Sequence, residues 1–199
     1  MNKGKMKKWL LPLLCLWTGS LLQAQEYKKK SEGYFNLTQI SFLLGEVNEN
    51  APTPVKSNIA PSVAMINGYR VNEHFSIGVG VGATILSYTI FPVFADFRIT
   101  LFKDNVSPVL AFKGGYSFAN SNKDIWGYST DNKNSGGAML NPEVGVKVKM
   151  ADNADFVLTI GYWYQHLQSE MKGSGYYYYD RTRTADINRL SFSIGFLFK

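Results

Sequence analysis

The sequence predicts an all-β fold, an eight-stranded antiparallel up-and-down transmembrane β-barrel of meander topology, and three observations carry that prediction. The first is the run Phe75 to Ile85, in which every odd position is apolar and every even position is Gly, Ser or Thr. Period two is the signature of a strand, and three interior glycines would cost a helix about 0.5–1 kcal/mol each. The second is recurrence: the alternation returns from residue 34 to the end of the chain, with short and long connections by turns. The third is the lack of an apolar run of about 18 residues at a mean hydropathy of −0.13. That excludes a helical membrane protein but not a barrel, whose lipid face is hidden in the alternation.

Taken in order, Met1 to Ala24 reads as a cleaved signal peptide. Lys3, Lys5, Lys7 and Lys8 form a basic start, and Trp9 to Leu22 is an apolar stretch too short to span a bilayer. Cys15 lacks the small preceding residue of a lipoprotein signal and reads as an apolar filler. Without this segment, 17 Lys and Arg face 15 acids, a balance of +2 rather than +6, so no nucleic-acid partner follows from the charge. Loss of the single Cys removes thiol chemistry and disulfides. Residues 25–32, with Lys28, Lys29 and Lys30, read as a flexible polar lead-in, and 33–199 as one barrel domain.

Strand one, Gly33 to Leu44, puts Phe35 and Leu37 on one face but Ile40, Phe42 and Leu44 on the other, so a bulge near Thr38 and Gln39 is expected. An Asn-, Pro- and Glu-rich loop follows. Strand two, Ile59 to Val71, presents Val63, Met65, Tyr69 and Val71 outward, with Asn67 as a blemish, and turns at Asn72 to His74 into the glycine strand. Strand four, Ile90 to Phe102, sends Phe91, Val93, Ala95, Phe97, Ile99 and Leu101 out, and Phe94, Asp96, Arg98 and Thr100 in. After a turn at Lys103 to Val106, strand five runs from Ser107 to Ala119 with Lys113 inward. The polar loop 120–137 leads to strand six, Ala138 to Met150, and the turn at Asp152 to Ala154 to strand seven, Asp155 to Leu167. The loop 168–186 precedes strand eight, Ile187 to Lys199.

The outward faces carry almost no charge along their middles, as a lipid face requires when Lys or Arg at the midplane costs about 2–4 kcal/mol. A soluble lipocalin-like barrel would show the opposite polarity, apolar inside and polar outside.

The closing run Ser193-Ile194-Gly195-Phe196-Leu197-Phe198 resembles the terminal-aromatic signal read by the barrel-insertion machinery, with Lys199 as a departure. With the eight alternating strands, the chain resembles the small outer-membrane barrels of Gram-negative bacteria, similar to OmpX and the barrel domain of OmpA. The resemblance covers residues 33–199. It implies an outer-membrane location with both termini periplasmic, lipid and lipopolysaccharide as surroundings, and the insertion machinery as a partner of the last strand. Such barrels include adhesins, structural proteins and lipid-modifying enzymes, so activity does not follow from fold.

His74-Phe75-Ser76 resembles the His-x-Ser pair of lipid A deacylase barrels, where an imidazole activates a serine. It lies, however, at an expected periplasmic turn, away from the outer leaflet. His166 lies near the outer rim with Ser169 and Glu170 following. No catalytic, cofactor or metal site is expected; two His without Cys make a poor metal set. The exposed loops hold the candidates for surface recognition of an unidentified ligand: Trp126, Tyr128, Tyr176, Tyr177, Tyr178, Tyr179, Arg181 and Arg183. The expected role is structural or adhesin-like, with a lipid A deacylase or acyltransferase-like enzyme and a small solute channel as rivals.

The lumen of an eight-stranded barrel is about filled by side chains. Arg70, Asp96, Arg98, Lys113, Glu143, Lys147 and Trp163 point into it, the charged ones as a lumenal ion network. Folding strands three and four about Tyr88 sets Gly82, Gly80 and Gly78 across from Phe94, Asp96 and Arg98. Folding strands four and five sets Asp96 opposite Lys113, an expected ion pair.

Overall fold

The computed structural model describes residues 33–45, 58–86, 89–102, 104–119, 132–171 and 181–199. Eight strands follow in order: β1 (Gly33–Leu44), β2 (Ile59–Arg70), β3 (Phe75–Ile85), β4 (Thr89–Thr100), β5 (Val106–Ala119), β6 (Asn132–Lys149), β7 (Ala154–Met171) and β8 (Arg181–Phe198). Each pairs antiparallel with its sequence neighbour, and β1 pairs with β8, from Asn36 with Phe198 to Leu44 with Leu190, to close the barrel.

The three tight turns are tied by side chains and by one another. Asn72 Oδ1 accepts the backbone N–H groups of His74 and Phe75 at 2.9 and 2.8 Å, and Ser107 Oγ donates to the carbonyl of Asp104. The Thr100 N–H donates to the His74 carbonyl, Lys149 N–H to Asn105, and Lys199 N–H to Asn153, so each turn is stitched to the next strand end.

Period two sorts the side chains as a barrel requires. Val79, Val81, Phe97, Phe112, Val144, Ile160, Leu190 and Phe192 are all large, apolar and exposed on the outside. Inside, Phe35, Leu37, Ile66, Ile90, Phe94, Met139 and Trp163 are buried alongside Gln39, Asp96, Arg98, Lys113 and Glu143.

Three expectations are corrected. Strand one has no bulge; its pairing with both neighbours is continuous. Phe35 and Leu37 face inward with Gln39 and Leu43, because the lumen holds an apolar core cluster as well as charges. The β3–β4 register is two residues from the expected one: Gly78 faces Asp96, Gly80 faces Phe94 and Ser76 faces Arg98. The pairing of Ile85 with Thr89 centres the hairpin one residue before Tyr88, which shifts every partner by two. Finally, β6 begins at Asn132, β7 ends at Met171 and β8 begins at Arg181, so the last three strands, 18 residues each, extend well into the expected loops. The only described irregularity in that extension is the register shift at Asn134 and Gly136, where Gly136 has φ +75° and an added Cβ would collide with the Ser117 carbonyl.

Candidate functional site

Two sites stand out, the filled lumen and the rim at the loop end. In the lumen, Glu143 of β6 is the hub. Its Oε1 accepts from Lys113 Nζ at 2.5 Å and Asn141 Nδ2 at 2.9 Å, and its Oε2 from Thr159 Oγ1 at 3.1 Å and, more weakly, Gln39 Nε2 at 3.4 Å. Lys113 Nζ also donates to Gln39 Oε1 at 2.8 Å, and Ser191 Oγ extends the chain through Asn141 Oδ1. Three strands besides β6 thus send donors to one carboxylate, and β8 joins them through Asn141. A buried charge held this way is paired and hydrogen-bonded, which is the condition for tolerating it.

A second pair lies nearer the tight turns. Arg98 grips Asp96 with Nε at 2.6 Å and Nη2 at 3.1 Å, both residues buried. The expected Asp96–Lys113 ion pair is therefore corrected. The two residues are register partners across β4 and β5, but Arg98, two residues along the same face, offers a two-pronged guanidinium that a point-like ammonium cannot match. Lys113 is long enough to turn to its other neighbour, β6, where Glu143 waits. Arg70 and Lys147 line a cavity below Arg98. Of the predicted lumenal set, Asp96, Arg98, Lys113 and Glu143 form two separate clusters, and Arg70 and Lys147 sit at the turn end.

Several lumenal residues escaped the sequence. Gln39 was hidden by the expected bulge, although its alternation with Phe35 and Leu37 carried the signal. Lys199 Nζ pairs with the buried Asp155 at 2.6 Å, so the residue that departs from the terminal signal has a partner inside the barrel. Arg189, in phase with the inward Ser191 and Ser193, donates to the Leu43 carbonyl at 3.0 Å. Gln165 accepts from Ser117 Oγ and donates to the Gly137 carbonyl.

Neither histidine bonds a serine among the described residues. His74 Nδ1 donates to the Thr100 carbonyl at 2.8 Å, which makes it a tie between turns rather than a partner of Ser76. His166 Nδ1 bonds Asp186 Oδ1 at 2.7 Å, and the same oxygen accepts from Tyr164 at 2.8 Å. These three sit beyond Leu190 and Tyr162, where the outward faces of β7 and β8 turn from apolar to polar. The His166 and Tyr164 hydrogen bonds hold the Asp186 carboxyl below its ordinary range, and Asp186 in turn raises Tyr164. No group of three described His, Cys, Asp or Glu residues is placed to hold a metal ion. Trp126, Tyr128 and Tyr176 to Tyr179 lie outside the described residues; Arg181 and Arg183 lie on β8, paired with Met171 and Ser169, and their side chains are outside the description.

No protein-family model matches the chain, and no curated protein sequence does. Solved structures do. The outer membrane protein OprG from Pseudomonas aeruginosa matches at a TM-score of 0.58 and 12% identity over 85% of this chain and 96% of that one. The outer membrane protein AlkL matches at 0.55 and 11% over 88% and 93%, and Neisserial surface protein A at 0.52 and 13% over 85% and 99%. At such identities the likeness is one of fold, and the fold is plain: the chain is an eight-stranded closed antiparallel barrel of the kind built by small outer-membrane proteins.

Proposed function

We propose that the protein is an outer-membrane barrel with a structural or surface-interaction role, its lumen plugged and its recognition carried by the loop end. The observation that carries this is the contrast between the two faces of one wall. The outside is a belt of exposed apolar side chains, which water would penalise and lipid would not. The inside is closed by Trp163, Phe94 and the Lys113–Glu143–Gln39 cluster. The three 18-residue strands support a surface role, because they run past the belt at the loop end. In this reading both termini and the tight turns are periplasmic, lipid and lipopolysaccharide surround the belt, and β8 is the strand presented to the insertion machinery.

Planar-bilayer recording tests the plug. Little or no steady conductance is expected from the wild type; a large steady conductance would identify a solute channel instead. Deleting Tyr176 to Tyr179 tests the surface role: heat-modifiable gel migration should persist while binding to a glycan and lipopolysaccharide panel falls.

A further inference from the structure

Below the Arg98–Asp96 pair, at the end of the barrel with the tight turns, lies a small chamber. Its polar lining comes from five strands and a turn: Arg70 of β2, Ser76 of β3, Arg98 of β4, Lys147 of β6, Asp155 of β7 and Glu73 of the first turn. The groups that would repel an anion are already occupied. Lys199 Nζ donates to Asp155 Oδ1 at 2.8 Å and lies 2.6 Å from its Oδ2, Glu73 has an interaction of its own, and Asp96 is held by two nitrogens of Arg98. Four cations, Arg70, Arg98, Lys147 and Lys199, face three carboxylates, Asp96, Glu73 and Asp155, so one positive charge is left over.

The third nitrogen of Arg98 points to where that charge is answered. Nη1 is fully buried and donates to nothing, although a buried charged donor without an acceptor is costly. The chamber has a volume of about 20 Å³, which is room for one water-sized occupant. We propose that it binds a single small inorganic anion of halide size, held by Arg98 Nη1 with Arg70 and Lys147 around it. Water could satisfy the N–H, but only an anion also neutralises the surplus charge, and inside a barrel wall that attraction is far less screened than in bulk solvent. The site would tie β2, β4 and β6 together at the mouth.

The test uses chloride NMR on the full barrel in zwitterionic micelles, in a buffer free of other halides. The wild type should broaden the ³⁵Cl line in excess of micelles alone, with saturation as chloride rises and reversal by bromide. Arg70→Gln and Lys147→Gln should each lose the excess, while Lys149→Gln, which removes the exposed partner of Asp152, should keep it. No excess in the wild type, or an excess unchanged in both lining variants, would overturn the site. Should those variants fail to show heat-modifiable migration, bromide-soaked wild-type crystals decide: an anomalous peak at hydrogen-bonding distance from Arg98 Nη1 supports the proposal, and a chamber holding only water sinks it.

Discussion

The barrel fills its interior in two different ways on its two sides. Along β2 and β3, Gly68, Gly78 and Gly80 clear a hollow into which Phe35, Ile66 and the ring of Phe94 pack. Across β5, β6 and β7, the space is taken by Lys113, Glu143, Asn141 and Thr159, bound to one another. The first side is held by shape and the second by charge satisfaction. Shape fails gradually, since a ring can tilt; a satisfied charge fails abruptly, since removing one member strands the rest. The two sides should therefore respond to mutation on different scales.

The largest effect is expected at Glu143. Glu143→Ala leaves Lys113 buried without its carboxylate and takes the acceptor from Asn141 Nδ2 and Thr159 Oγ1, a loss of about 3–5 kcal/mol. Urea unfolding from lipid vesicles would read it. Lys113→Met combined with Glu143→Leu should recover much of the loss, because it removes both charges. If Glu143→Ala alone is as stable as the wild type, the charged side is packing and not a network, and the contrast between the two sides disappears.

A smaller effect is expected on the glycine side. A Cβ at residue 80 would press on the far edge of the Phe94 ring and touch Ile66 at 3.0 Å. Because the obstacle is a movable ring, Gly80→Ala should cost about 1–3 kcal/mol. Gly80→Ala with Phe94→Leu should be less damaging than the two losses added, by about 0.5–3 kcal/mol of coupling. Strict additivity would mean that Gly80 is not there to seat the ring.

The same division explains how much could be read from the chain. Strand existence and facing were legible in β2 to β5, because lipid outside and a narrow lumen inside force strict alternation, as in Phe75 to Ile85. Register was legible only to two residues, since moving the β3–β4 hairpin centre from Tyr88 by one position leaves every residue on its own face. Partners were not legible. Lys113 reaches Asp96 by register and Arg98 reaches it along its own strand, and the choice between them rests on fork geometry and on Glu143 arriving from a third strand. In β1 an apolar inward set, Phe35 and Leu37, imitated a bulge because Ile40, Phe42 and Leu44 make the other face apolar too, and alternation alone does not separate lumen from lipid. The extended ends of β6 to β8 were read as loops because polar residues such as Asp186 break the lipid pattern once a strand leaves the membrane.

That rim gives the smallest expected effect and the control for the comparison. Asp186 accepts from both His166 and Tyr164, as Glu143 accepts from its donors, but it stands in water, with its side chain 57% exposed. If burial rather than the number of hydrogen bonds sets the scale, Asp186→Ala should shift the unfolding midpoint far less than Glu143→Ala. The pH dependence has a definite sign. The carboxyl of Asp186 is held below its unfolded value by these hydrogen bonds, so its contribution is complete above the unfolded value of about 3.9 and is lost as pH falls through the lower, folded one. Wild type and Asp186→Ala should therefore differ slightly at neutral pH and converge in strong acid. A rim variant as damaging as the lumenal one would show that these hydrogen bonds act alike wherever they sit, and would remove burial as the cause of the difference between the regions.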